Sequence, residues 1–237
     1  MNIRTLVSPA LALPLAILAL LVAVPFFGGP YLVYLITLAL TFSIFALGYD
    51  VLFGHTGIIS FGHSIFYGMP AYAIGMLART VLDIKNPIVL IGAALLAGIL
   101  LGAAIGWICS FSRGIYLAIV TFALAQIFEL FIFSDPRGIT RGENSITGIR
   151  PAPLTIGDYS FNLFSGIGLY YLTLAFCLAG VLILWRILYS PFGAALRAAR
   201  DSPLRAEAIG IDVRGIQWAA FTIAGVFAGL AGAIYTF

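Results

Sequence analysis

The 237-residue chain is 62% hydrophobic and 9% charged, and its mean hydropathy is +1.11. A soluble domain carries roughly 25% charged residues, so folding around an aqueous core would leave too much apolar surface in water. The net charge of +3 is too small and too dispersed to indicate a nucleic-acid partner. The composition therefore predicts an all-α, polytopic integral membrane protein whose surroundings are the lipid bilayer.

Seven stretches are predicted to span the membrane, since about 20 apolar residues cover its hydrocarbon core. No charged residue lies between Arg4 and Asp50, so this stretch holds two spans, with a turn at 28–31. The first is longer than a signal-peptide core and is followed by no small-residue cleavage site, which favours an uncleaved span. The seven predicted spans lie near 9–27, 31–52, 63–82, 88–111, 115–133, 166–186 and 216–237.

The fourth predicted span contains GAALLAGILLGAAIG, from Gly92 to Gly106, with small residues at three- and four-residue spacing. In lipid, such a face lets two helix backbones approach closely. We therefore expect this span to pack tightly against another helix.

Two polar segments separate the later spans, and Lys and Arg in loops set the orientation of a membrane protein. The segment 188–215 carries four arginines, with Arg186 just before it, and is therefore predicted to be cytoplasmic. By the same count Arg4, Arg113 and the N-terminus are cytoplasmic, and the 134–160 loop is extracytoplasmic. Three arginines weaken this contrast because they place positive charge in the extracytoplasmic loop: Arg137, Arg141 and Arg150. We treat 1–237 as a single transmembrane domain.

Within 188–215, the sequence YSPFGAALRAARDSPLRAEAIGID predicts two short helices joined by a sharp corner. Pro191 begins the first helix, and alanines and leucine favour its continuation. Ser202 is placed as the N-cap of the second helix with Pro203 at its first position, and Gly210 ends it. A solvated loop that merely orients the protein is the alternative, but such a loop needs no caps.

The stretch GHTGIISFGHSIFYG, residues 54–68, contains both histidines of the chain and the glycines Gly54, Gly57, Gly62 and Gly68. Two interpretations are open: a broken or re-entrant segment near 54–62 beside a substrate path, or glycines that let spans touch. A metal site is not expected, because no further ligands accompany His55 and His63. Ser60 with His63 lacks the rest of a hydrolase site, so no catalytic residue is predicted.

Charged and polar residues near the ends of spans are the other candidates for function. A charge at mid-membrane costs several kcal/mol, so Asp50 and Glu129 either lie at interface depth or line a polar path. Gln126 lies one turn before Glu129 and fits both interpretations, and His63 either bonds between helices or faces the path. The predicted substrate-path residues are Asp50, His55, Ser60, His63, Gln126 and Glu129.

Both motifs resemble the permeases of ABC importers, in particular the branched-chain amino acid (LivM-like) group. In 54–68 the resemblance rests on Gly54, Gly57, Ser60, Gly62, His63, Phe66 and Gly68. In the later segment it rests on Ser190, Pro191, Phe192, Gly193, Ala195, Leu196, Arg197, Ala198, Arg200, Ala206, Glu207, Gly210, Ile211 and Asp212. The 134–160 loop matches at Thr140, Gly142, Thr147, Gly148 and Ile149 but departs from the family pattern at Arg141, Ser145 and Ile146.

The resemblance implies a permease without enzymatic activity or cofactors, in a bacterial-type inner membrane. Its implied partners are cytoplasmic ATP-binding subunits, a second homologous permease and an extracytoplasmic substrate-binding protein. The chain has no G-x-x-x-x-G-K-[ST] phosphate loop, so ATP would be hydrolysed by another subunit. The residues expected to couple to that subunit are Pro191, Gly193, Arg197, Arg200, Glu207, Gly210 and Asp212.

Two alternatives to a branched-chain amino acid permease remain open. One is a permease of the same family for urea or short amides, and the other is a self-contained secondary transporter. Family members also continue through further spans after the cytoplasmic segment, so the resemblance implies a chain shortened at its C-terminus.

Overall fold

The computed structural model describes residues 9–81, 84–112, 114–135, 140, 142, 146, 149, 152–156, 159–161 and 166–237. The predictions that concern Arg4, Arg113, Arg137, Arg141, Ser145, Thr147, Gly148 and Arg150 lie outside these residues.

The described residues form nine α-helices and one short hairpin. The helices are α1 Pro9–Phe27, α2 Pro30–Asp50, α3 Ile65–Gly75, α4 Pro87–Cys109, α5 Ile115–Ser134, α6 Ile167–Leu188, α7 Pro191–Asp201, α8 Pro203–Ala208 and α9 Val213–Thr236. Two π-helical turns extend α2 and α3, at Val51–His55 and Met76–Val81. The hairpin, which the sequence did not predict, pairs β1 Leu154–Ile156 antiparallel with β2 Tyr159–Phe161.

Five of the described helices are long and apolar enough to cross a membrane. They are α2 with its π-helical turn, α4, α5, α6 and α9. In α1, the stretch Ala12–Phe27 is apolar but shorter. The predicted third span at 63–82 differs most, because regular helix begins only at Ile65 and changes to a π-helical turn at Met76. The structure therefore supports a polytopic membrane protein, but it does not confirm seven spans.

Helix α9 lies at the centre of the described fold and packs against α4, α3 and α2. Ala220, Phe221, Ala224, Ala228 and Ala231 of α9 are fully buried. Because most of these side chains are single methyl groups, neighbouring backbones approach α9 closely. The resulting packing buries α9 more deeply than the other candidate spans.

The seam between α4 and α9 is made by glycines on both helices. A Cβ atom at Gly98 would lie 2.4 Å from the carbonyl oxygen of Gly225, and a Cβ at Gly225 would lie 2.4 Å from that of Gly98. A Cβ at Gly102 would lie 2.7 Å from the Phe221 carbonyl oxygen. Trp218 adds a hydrogen bond from its indole Nε1 to the Ala103 carbonyl, 2.8 Å away. These contacts confirm the predicted close approach and identify α9 as the partner of α4.

Candidate functional site

Between the π-helical turn that extends α2 and the start of α3, the chain is not regular helix. The Thr56 hydroxyl donates to the Leu52 carbonyl, and the Ile58 N–H donates to the same carbonyl at 2.9 Å, which closes the π-helical turn. Gly57 then takes φ +68°, a left-handed conformation that glycine adopts without steric cost. No regular helix forms over 57–64, and α3 starts at Ile65. Gly57 and Gly62 thus lie where regular helix is broken, and such a break is what one of the two interpretations predicts.

The four glycines of this stretch have different surroundings. A Cβ at Gly62 would lie 2.0 Å from the Thr121 carbonyl oxygen, so Gly62 lets the broken segment touch α5. Gly54 faces the carboxylate of Asp50 in its own turn, and a Cβ at Gly68 would meet no atom within 4 Å. Close packing therefore explains Gly62, whereas it does not explain Gly68.

Polar atoms of three side chains near the break are buried without hydrogen-bond partners among the described residues. They are Ser60 Oγ, both ring nitrogens of His63 and Tyr67 Oη. Among the described residues, His63 makes no hydrogen bond between helices, which was one of its two predicted roles. Its ring lies instead among aromatic rings, with centroids 5.0 Å from Phe45 and 5.1 Å from Tyr49. An unsatisfied buried polar group costs about 1–3 kcal/mol, so this packing is less stable than a satisfied one.

A cleft of about 450 Å³ opens between the start of α3 and α5. Ser64, Gly68 and Tyr72 line it from the α3 side, and Gln126 and Glu129 line it from α5. The Gln126 Nε2 donates to Glu129 Oε2 at 3.0 Å, which orients the carboxylate. The rest of the lining is mainly apolar, including Phe61, Met69, Phe122, Phe128 and Phe133. A few polar groups within an apolar, concave surface are typical of a small-molecule site.

The six predicted path residues fall in three places. Gln126 and Glu129 share the cleft, and Ser60 and His63 are buried beside the break. Asp50 and His55 form a pair, Oδ2 to Nδ1 at 3.2 Å, on the π-helical turn. The structure therefore brings together one pair in the cleft and another on the turn, but it does not bring all six residues together.

Two cleft residues were missed as candidates, Ser64 and Tyr72. Together with Gly68 they recur at four-residue spacing, which places them on one face of a helix. That spacing is visible in the sequence and was the signal that could have found them.

The segment 188–215 folds as predicted. Pro191 is the first residue of α7, and the Ser202 hydroxyl accepts the N–H of Arg205 at 3.4 Å as the N-cap of α8. Gly210 takes φ +87° after α8, and the Asp212 carboxylate caps α9 by accepting the Gly215 N–H at 3.1 Å. The two short helices are therefore fixed at each end.

Several predicted coupling residues of this segment contact their own chain. A Cβ at Gly193 would lie 2.1 Å from the Leu188 carbonyl oxygen, so α7 needs a glycine there to approach the end of α6. Arg197 donates from Nη1 to the same carbonyl at 3.0 Å, and Arg200 donates to the Gly54 carbonyl at 2.8 Å. These contacts position α7 against the rest of the chain.

Three exposed side chains lie on α8 or directly after it. Glu207 is exposed, and so are Leu204, with 73% of its surface accessible, and Ile209, with 76%. Leu204 and Ile209 were missed as candidates, although large apolar residues in an otherwise polar segment are a signal for a protein contact.

Comparison with known proteins identifies the family. Residues 31–237 match the family described as "Branched-chain amino acid transport system / permease component". The chain belongs to this family. It is accordingly a multi-pass membrane protein of a transporter family rather than of an enzyme family.

The chain is similar to named permeases of this family. It is 32% identical over 247 residues to the high-affinity branched-chain amino acid transport system permease protein LivM of Escherichia coli K12, covering 93% of this chain and 56% of that protein. It is 29% identical to LivM of Salmonella typhimurium LT2, with the same coverage. A guanosine ABC transporter permease protein, NupQ of Bacillus subtilis 168, is 35% identical over 66 residues, which are 27% of this chain and 21% of that protein.

The chain thus spans about half the length of the two LivM relatives, 56% in each case. No solved structure is significantly similar to the chain.

Proposed function

We propose that the chain forms the translocation path of an ABC importer for branched-chain or related amino acids, as one of its permease subunits. The similarity to LivM along 93% of the chain carries this proposal. In it, α1 and the broken α3 also cross the membrane, which gives seven crossings with the N-terminus on the cytoplasmic side of a bacterial inner membrane. The whole of 1–237 then acts as one transmembrane domain.

The cleft between α3 and α5 is the proposed substrate site. Glu129 supplies a carboxylate for the ammonium group of an amino acid, and the Gln126 amide and Ser64 hydroxyl supply hydrogen bonds for its carboxylate. The aromatic and aliphatic lining suits an apolar side chain. Broken helices in transporters place such polar groups beside a water-filled cavity, which supports this assignment.

The other predicted path residues are assigned to different stages of transport. Ser60 and His63 are proposed to face the path when α3 separates from α2, since their polar atoms lack partners among the described residues in the present packing. Asp50 and His55 are proposed to lie at the cytoplasmic mouth, because their π-helical turn contacts α7.

The proposed partners follow from the two polar segments. We assign 188–215 to the cytoplasm and its helix α8 to a groove on an ATP-binding subunit, with Leu204, Glu207 and Ile209 as contacts. A second permease subunit is proposed to cover α5, whose Glu129 and neighbouring Leu130 are exposed. The 134–160 segment is assigned to the extracytoplasmic side, where a substrate-binding protein docks.

Co-purification in mild detergent tests the assignment of α8. Leu204→Ala and Glu207→Lys are expected to reduce the amount of ATP-binding subunit recovered with the chain. Leu182→Ala is the matched control, because Leu182 is a similarly exposed leucine, at 66%, on α6. If equal amounts of the ATP-binding subunit were recovered with all three variants, α8 would not be part of the coupling surface.

A substrate panel tests the transported class. Uptake by the assembled transporter should be greatest for leucine, isoleucine or valine, and lower for urea and for guanosine. Preferential uptake of urea would favour the short-amide alternative. Uptake that persists without the ATP-binding subunits would indicate a secondary transporter.

A further inference from the structure

Arg200 connects α7 to the turn that ends α2. Its Nη1 donates to the Gly54 carbonyl oxygen at 2.8 Å, across 146 residues of sequence. The aliphatic stem of Arg200 lies over Gly57, where a Cβ would be 2.8 Å from Arg200 Cγ. The positive φ of Gly57 disfavours a side chain as well, so the position suits a glycine on both counts.

The chemistry of this contact suits a helix C-terminus. Carbonyl groups in the last turn of a helix lack partners within the helix, and the helix dipole makes this end attractive to cations. Gly54 lies in the last π-helical turn of α2, and the Arg200 guanidinium supplies both the donor and the charge. Nε of Arg200 also lies 3.2 Å from Asp201 Oδ1, which holds the guanidinium in place.

The surroundings of Arg200 leave room for movement. A cleft of about 430 Å³ separates the 56–61 chain from α8 and from the start of α5. Gly57, Ile115, Arg200, Pro203 and Gln217 are among the residues that line it. Arg200 therefore bridges two parts of the molecule at the edge of a cavity.

The broken segment continues from this bridge to the substrate cleft. Beyond Gly57, the Phe61 N–H donates to Thr121 Oγ1 at 3.2 Å, and Gly62 rests on the Thr121 carbonyl. Ser64 then lines the cleft between α3 and α5. A displacement at Gly54–Gly57 is thus only a few residues away from the cleft lining.

We infer that Arg200 is a positioning residue that ties α7 to the broken helix and transmits movement of α7 to the 54–64 segment. This inference rests on the proposed function, and it assigns to Arg200 an internal contact where the sequence predicted a contact with the ATP-binding subunit. The corresponding defect is uncoupling: ATP is hydrolysed, but less substrate crosses the membrane for each ATP.

Transport per ATP hydrolysed tests the role of Arg200 in the complete transporter in proteoliposomes. Arg200→Met keeps an unbranched apolar side chain over Gly57 but removes the donor and charge. Because a charge-assisted hydrogen bond is lost, uptake per ATP is expected to fall about tenfold relative to Arg186→Met. Arg186→Met removes the same charge from an exposed position at the end of α6, outside the proposed docking helix. Uptake per ATP in Arg200→Lys, which keeps the charge, should lie between the values for the two methionine variants.

An unchanged ratio of uptake to ATP hydrolysis in Arg200→Met would overturn the inference. Loss of ATP-binding subunits from Arg200→Met, but not from Arg186→Met, would also overturn it, because Arg200 would then be a docking residue. A wild-type chain that binds no ATP-binding subunit would instead refute the proposed function.

Hydrogen–deuterium exchange tests the contact independently of any partner. In detergent, amides of residues 54–58 should exchange faster in Arg200→Met than in Arg186→Met, while those of α4 and α9 exchange equally and report an intact fold. Equal exchange at 54–58 in the two variants would show that Arg200 does not hold the broken helix.

Discussion

The α4–α9 seam differs from the break between α2 and α3 in how the helices are packed. At the seam, glycines bring two continuous helices into backbone contact, as at Gly98 and Gly225. At the break, regular helix is interrupted over 57–64, and Ser60, His63 and Tyr67 have buried polar atoms without partners among the described residues. Both regions are rich in glycine, so glycine content alone does not distinguish them.

The difference lies in whether polar groups are satisfied. A continuous helix satisfies its own backbone, so close packing at the seam has little polar cost. At the break, unsatisfied groups lower the stability of the observed packing relative to one that hydrates or bonds them. We therefore assign the seam to the fixed scaffold and the break to the part that rearranges during transport.

Gly98→Ala should have the largest effect on stability, because its Cβ would meet the backbone of α9. Overpacking of this kind should lower the free energy of unfolding by about 3 kcal/mol. Denaturant-induced unfolding in detergent measures the loss. Gly92→Ala is the matched control on the same helix, since a Cβ there meets no atom within 4 Å. Equal free energies of unfolding for the two variants would contradict the assignment of the α4–α9 seam to a rigid scaffold.

Gly62→Ala should have a smaller effect, because the broken segment can shift away from the Thr121 carbonyl more easily than two helices can separate. We expect a loss of about 2 kcal/mol in the same assay. Gly68→Ala, with no atom within 4 Å of its Cβ, should change stability by less than about 0.5 kcal/mol. If the variants at Gly62 and Gly98 lost equal amounts of free energy of unfolding, the break would be as rigid as the seam.

His63→Phe should raise stability by about 1 kcal/mol, because it replaces buried, unpartnered ring nitrogens with an apolar ring among aromatic neighbours. Uptake should nevertheless fall, since the variant favours the observed packing over the rearranged one. His63→Ala serves as the contrast and should be destabilised by the cavity it leaves. A clear loss of stability in His63→Phe would mean that His63 has a polar partner in the folded protein.

Glu129→Gln should have the smallest effect on stability, below about 0.5 kcal/mol, because the side chain is exposed in the cleft. Its effect should appear in transport, where loss of one charge-assisted contact is expected to raise the KM for uptake about tenfold. An unchanged KM would exclude Glu129 from the substrate site.

Local signals in the sequence predicted much of this fold. Pro191, Ser202, Pro203 and Gly210 marked the ends of α7 and α8 because caps depend on neighbouring residues alone. Small residues marked the tight face of α4, although the sequence could not name α9 as its partner.

The site was predicted less well, because it depends on tertiary contacts. Arg200 was predicted to couple to the ATP-binding subunit, and the sequence did not indicate that its guanidinium donates to the Gly54 carbonyl, 146 residues earlier. His63 was expected either to bond between helices or to face the path, and the sequence did not predict that its ring lies among those of Phe45, Tyr49 and Phe66. A pattern of residue types does not specify which distant backbone group lies within reach of a long side chain.

The most direct test of the proposed function is amino acid uptake by purified components in proteoliposomes, with and without the ATP-binding subunits. The account predicts leucine, isoleucine or valine accumulation that needs ATP, the ATP-binding subunits and the binding protein, and that stops when any one is omitted. Uptake at an unchanged rate without the ATP-binding subunits would contradict it.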